Sequence, residues 1–253
     1  MSTQKTTLLF TALFGFMIAW SIGLAGPLLG WLNPQSEMAS YFINKGALTL
    51  VFAAVLWRLQ LFNAVGFAPG MGLRSYVIAL PLLALGVLGF LDPSRPTVAV
   101  YDLVGWAAVV LFVAFTEEGL FRGVLWKALS EAGPWTRAAV SAAMFGLAHL
   151  IPAGLGGFGW GIAGIYGLWA FCCGLIFAAI RESAGTIWSV IIVHAVFDLA
   201  AISASGGVDS LLDPGRETYL RFLTAAIVAA IWGCGAIYLN ERRAKREGVR
   251  CAN

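Results

Sequence analysis

Glu117 and Glu118 stand side by side in Phe115-Thr116-Glu117-Glu118-Gly119-Leu120-Phe121-Arg122, inside a stretch that is otherwise almost wholly apolar. His149 closes the run Phe145-Gly146-Leu147-Ala148-His149, and His194 and Asp198 bracket His194-Ala195-Val196-Phe197-Asp198. The two histidines are the only ones in the chain. Helical spacing separates the roles of the two acids. Glu118 and Arg122 are i,i+4 with the acid first, which places them on one face and lets them neutralise each other. Glu117 is turned about 100° away. Its own i,i+4 neighbour is Phe121, so it must find its partners on other helices. His194 and Asp198 are again i,i+4 and can address one point. A carboxylate confined in a partly dry site is a candidate general base towards water. Imidazoles across from it could hold a metal or donate to the oxyanion of a tetrahedral intermediate. That chemistry hydrolyses a peptide bond.

The elements that carry these residues read as membrane spans. The chain has 253 residues, 60% hydrophobic and 11% charged, with a mean hydropathy of +0.84. Soluble domains are about one quarter charged, so this chain has too little polar surface to cover itself in water. A charge at the centre of a span costs at least ~2.5–3.5 kcal/mol, and those within spans therefore mark function or pairing. A transmembrane helix needs about 20 mostly apolar residues. Eight such segments are expected, near residues 7–30, 45–66, 75–91, 101–128, 137–151, 161–180, 185–203 and 219–239. The third, fifth and seventh are short. The turn signals between them are Asn33-Pro34, Pro69-Gly70, Asp92-Pro93, Gly133-Pro134, the glycine-rich Gly154 to Gly161, and Asp213-Pro214-Gly215. The expected fold is an all-α polytopic bundle of about eight transmembrane helices, one transmembrane domain over 1–253, with a catalytic core at 100–203. The first apolar stretch is longer than the 7–15 residues of a signal peptide, so it reads as a retained helix.

Basic residues set the orientation. With the C-terminus in the cytoplasm, that side holds Lys5, Arg58, Arg74, Lys127, Arg137, Arg181, Arg242, Arg243, Lys245, Arg246 and Arg250, and the other holds Lys45, Arg95, Arg216 and Arg221. The protein is therefore expected in the cell membrane, multi-pass, with its C-terminus inside. The basic end reads as a membrane flank, and no segment suits nucleic acid. Cys172, Cys173, Cys234 and Cys251 lack metal-site spacing and read as small apolar filler. Gly105, Gly119, Gly123, Gly146, Gly164, Gly167 and Gly174 read as sites of close helix packing.

The three motifs Glu-Glu-x-x-x-Arg, Phe-x-x-x-His and His-x-x-x-Asp, in that order over roughly residues 100–200, resemble the CPBP family. This family holds the type II CAAX prenyl endopeptidases and Abi-like bacteriocin-processing or immunity proteins. The resemblance implies an intramembrane endopeptidase acting on a membrane-associated protein or peptide near the membrane face. It implies Glu117 as the base that activates water, with Glu118, Arg122, His149, His194 and Asp198 around it. The eukaryotic enzymes usually carry Asn where this chain has Asp198; an ionised Asp accepts but cannot donate, so Asp198 is better suited to orienting His194 or a metal. If a metal such as Zn2+ takes part, Glu117, His149 and His194 are its expected ligands; a metal-free reaction is the favoured reading. Two other functions fit the same residues. One is a non-catalytic immunity or binding protein on this scaffold. The other is a proton-coupled transporter, which predicts an inverted repeat that the sequence does not show.

Overall fold

In the computed structural model, residues 1–70, 73–91, 100–206, 216–246 and 248 are described. Every regular element among them is helical. Helix α1 (Thr3–Ala19) runs on as a π turn to Leu24; α2 (Gly26–Leu32) and α3 (Glu37–Arg58) follow. Then come α4 (Leu73–Phe90), α5 (Val100–Glu118), a π turn (Gly119–Val124) and α6 (Leu125–Ala128). The chain continues through α7 (Pro134–Ala153), α8 (Trp160–Ala184), α9 (Trp188–Ser205) and α10 (Arg216–Arg246). Seven helical segments among the described residues are long and apolar enough to cross a membrane, and the expected third span is a shorter apolar helix, Leu73–Leu88. The chain is a multi-pass membrane protein. The fifth span is longer than the sequence suggested, at 20 residues, and the seventh is of about the expected length, at 18. Asp92-Pro93 and Asp213-Pro214-Gly215 lie outside the described residues.

The second span sits earlier than expected, at Glu37–Arg58 rather than 45–66. Ser36 starts it by accepting a hydrogen bond from the Ala39 amide at 3.1 Å, with Glu37 against the positive end of the helix dipole. Gln60 then takes a positive φ of 53° and Gly66 one of 103°. The apolar run after Arg58 folds back as a loop instead of continuing the helix, burying Leu61, Val65 and Phe67. Apolarity at 59–67 was thus a sign of burial against protein, not of contact with lipid. One consequence corrects the orientation argument. Lys45 does not lie in a loop. It is inside α3, the ninth of 22 residues, and it leaves the count of external cations.

Small residues bring the helices round the site into contact. A Cβ on Gly146 would meet the Gly167 carbonyl at 2.7 Å, and one on Gly105 would meet Met38 at 2.6 Å. Gly164 differs: nothing lies within 4 Å of its Cβ position, so it is not a packing glycine. Helix α1 reaches the same centre, where the rings of Phe10 and Phe14 meet the edge of Phe121 at 6.3 and 6.2 Å. Trp side chains tie elements together through their N–H groups. Trp188 donates to the Phe67 carbonyl at 3.2 Å and Trp232 to that of Ile78 at 2.9 Å.

Candidate active site

Glu117 and Glu118 are the last two residues of α5, and the π turn begins at the next residue. A π turn interrupts the i→i−4 ladder and is frequent at functional sites. Buried carbonyls must find other donors, since an unpaired one in hydrocarbon costs several kcal/mol. Two neighbouring helices supply them. Ser141 Oγ of α7 donates to the Phe121 carbonyl at 3.2 Å, and Arg181 Nε of α8 donates to the Arg122 carbonyl at 3.0 Å. The glycines of the motif admit α3 and its following loop. A Cβ on Gly119 would meet the Phe52 ring at 2.6 Å, and one on Gly123 would meet the Val65 carbonyl at 3.2 Å. The π turn is thereby held from both sides, which fixes where the two acids point.

Glu118 is fully buried. Its Oε1 accepts from His194 Nδ1 at 2.8 Å and from Arg122 Nη1 at 3.3 Å; Oε2 lies 3.2 Å from the same guanidinium nitrogen. Arg122, equally buried, donates from Nη2 to the Gly174 carbonyl at 2.9 Å. Its guanidinium lies over the rings of Phe145 and Phe177, at 4.6 and 5.4 Å. A Cβ on Gly174 would approach Arg122 Nη2 to 3.1 Å, so a glycine leaves room for the guanidinium. The expected Glu118–Arg122 pair is present, with a third member, His194, that the sequence did not reveal.

His194 stacks on Phe177 at 4.9 Å and meets Phe145 edge-on at 5.8 Å. A carboxylate only accepts, so Nδ1 carries the hydrogen given to Glu118. That turns Nε2 towards the other acids, 3.2 Å from Asp198 Oδ2 and 4.0 Å from Glu117 Oε2. His149 bonds through Nδ1 to its own helix, at the Phe145 carbonyl, 2.9 Å away. The carbonyl cannot donate, so Nδ1 carries the hydrogen and a neutral His149 presents a lone pair at Nε2. In that form it accepts a hydrogen bond but does not donate to an oxyanion, which narrows the role expected for it. Its ring rests on Phe145 at 4.6 Å, and Phe145 in turn touches His194. Glu117 is different from its neighbour: its side chain is 17% exposed and has no hydrogen bond to Arg122 or His194. The Oε2 of each acid lacks a hydrogen-bond partner, but that of Glu118 lies in the ion pair with Arg122.

The arrangement brings Glu117, Glu118, Arg122, His194 and Asp198 into one polar cluster, and the Phe145 ring lies between His149 and His194. The Zn2+ ligand set expected from the sequence, Glu117, His149 and His194, is not assembled: among the described residues no three His, Cys, Asp or Glu side chains are placed to hold a metal ion. His149 stands apart from the other two, bonded to its own helix and separated from His194 by the Phe145 ring. Residues 99–200 match the family model described as type II CAAX prenyl endopeptidase Rce1-like. The match agrees with the resemblance carried by the three motifs and spans every residue of the cluster. A search of curated proteins finds no match. Within the Rce1-like region, sequence reasoning gave no role to Phe145, Phe177 and Ser141, read Gly174 only as a packing glycine, and read Arg181 only as a basic flank. Phe145 opens the Phe-x-x-x-His motif and could have been given a role. The others carry no local signal, because their partners are about 20 to 59 residues away.

Proposed function

We propose that the protein is an intramembrane endopeptidase of the CAAX type that hydrolyses a peptide bond near the membrane face with water activated by Glu117. The observation that carries the reading is the unpartnered Oε2 of the part-exposed Glu117 beside His194, next to a second, fully buried carboxylate that is held by Arg122 and His194. A buried acceptor without a partner calls for a donor from outside the protein, and the reacting water is such a donor. Glu117 takes a proton from that water while the Nε2 lone pair of His149 can accept its other hydrogen. The oxygen attacks the scissile carbonyl carbon, forming the new C–O bond and an oxyanion. As the C–N bond breaks, the proton held by Glu117 passes to the departing amine. Asp198 acts on His194, not on the oxyanion, since it faces Nε2 and as a carboxylate cannot donate. The reaction needs only the protein groups and water.

The test is direct. The purified protein in liposomes is given a fluorescent peptide ending in a farnesylated cysteine, two aliphatic residues and alanine, and also the unfarnesylated peptide. Mass spectrometry is expected to find products cut within the last four residues. Folded protein that cuts neither peptide would return the weight to an immunity or binding role.

We also place the C-terminus in the cytoplasm of a cell-membrane protein. The basic cluster Arg242, Arg243, Lys245 and Arg246 at the end of α10 supports this side. A C-terminal fluorescent reporter is expected to light up inside the cell, and an alkaline phosphatase fused there is expected to stay inactive. Active phosphatase would reverse the topology.

A further inference from the structure

Lys45 is an ionisable residue well inside a membrane-crossing helix, where a charge is costly and its retention points to a task. Its side chain donates no hydrogen bond and forms no ion pair among the described residues. Helices α3 and α5 run in the same direction in a constant register. Met38 lies against Gly105, Gly46 against the Phe112 ring and Phe52 against Gly119. Between them, Thr49 Oγ1 donates to the Phe112 carbonyl at 3.0 Å and meets Thr116 Oγ1 at 2.9 Å. By this register Lys45 stands level with Phe112, five residues before Glu117. At 1.5 Å of rise per residue that is about 7–8 Å along the axis.

Around Glu117 the charged groups are Glu118, Asp198, Arg122 and His194, with Lys45 from α3. Three of these, counting Glu117 itself, are carboxylates, and an anionic ligand entering here would be repelled by them. Arg122 offers little, since its terminal nitrogens are committed to Glu118 and the Gly174 carbonyl and its plane to two rings; only its Nε, fully buried, has no partner. Lys45 is the cation with donors to spare. A C-terminal Cys-a-a-X box ends in a carboxylate, and its three residues after the cysteine span about 10 Å when extended. That length is of the order of the step from Glu117 to Lys45, once the sideways distance between two packed helices is included.

We propose that Lys45 anchors the C-terminal carboxylate of the substrate and so measures the tail from the chain end to the bond that Glu117 attacks. This deepens the endopeptidase reading and rests on it for the substrate class. Binding can be measured without turnover. Glu117→Gln protein in nanodiscs is titrated with the farnesylated fluorescent peptide as its free acid and as its C-terminal amide. The acid is expected to bind roughly tenfold tighter or better, as a charge-assisted hydrogen bond in a dry site provides. Adding Lys45→Gln should equalise the two peptides, and Lys45→Arg should keep the preference. Equal affinity of acid and amide in the protein that retains Lys45 overturns the proposal, whatever the variants do. So does a preference that survives Lys45→Gln. Turnover by the unmutated protein is read separately. Cleavage without an acid preference leaves the endopeptidase standing and removes the anchor, and an acid preference without cleavage does the reverse.

Discussion

Glu117→Gln protein is expected to reach the membrane in normal yield and to process substrate about 10²-fold more slowly or worse, the lower end of what loss of a general base removes. The reasoning starts from the geometry of the side chain it replaces. Glu117 makes no hydrogen bond through its buried Oε2, and its closest ionic neighbour given by the structure is His194 Nε2 at 4.0 Å. No hydrogen bond of the packing is lost when that oxygen is replaced. Glutamine has the same length and can still hold a water, but it cannot take the proton from it. The measurement is cleavage of the farnesylated peptide, normalised to folded protein in the membrane. Undiminished cleavage by Glu117→Gln would remove the proposed mechanism.

Much of this was legible in the sequence, for reasons that particular residues make plain. Apolar runs bounded by Gly and Pro gave the helical membrane fold, because hydrocarbon demands internally bonded backbone and length then follows from bilayer thickness. The i,i+4 spacing of Glu118 and Arg122 predicted their pairing, since it depends only on local helix geometry. What was lost depends on contacts far along the chain. The apolar stretch at 59–67 looked like lipid-facing helix until its burial as a loop was seen, and that shift hid Lys45. The π turn at Gly119–Val124 leaves no periodic mark, yet it decides that Ser141 and Arg181 must serve its carbonyls. His194 was expected across from Glu117, and its Nε2 lies 4.0 Å from that acid. Its Nδ1 is held by Glu118, 76 residues away, a pairing no local spacing could suggest.

The same bond makes the second acid behave oppositely to the first. Glu118 and Arg122 have side chains with no solvent exposure, so neither charge has water to fall back on. Glu118→Gln leaves the guanidinium uncompensated and weakens the acceptor for His194 Nδ1. Removing one member of a buried pair costs about 3–5 kcal/mol, a large part of the 5–15 kcal/mol by which a typical protein is stable. We therefore expect Glu118→Gln to lower both the membrane yield and the thermal midpoint in detergent, with activity falling in step with folded protein. Arg122→Met should do the same, since it also strips the donor from the Gly174 carbonyl and the cation from between Phe145 and Phe177. The double variant Glu118→Gln/Arg122→Met decides whether the two act as a pair. With both charges gone no buried ion is left alone, so its loss of stability should be clearly smaller than the sum of the two single losses. Strictly additive losses would show that the pair does not couple. A Glu118→Gln protein that is fully stable and yet inactive would move Glu118 from the frame of the site into its chemistry.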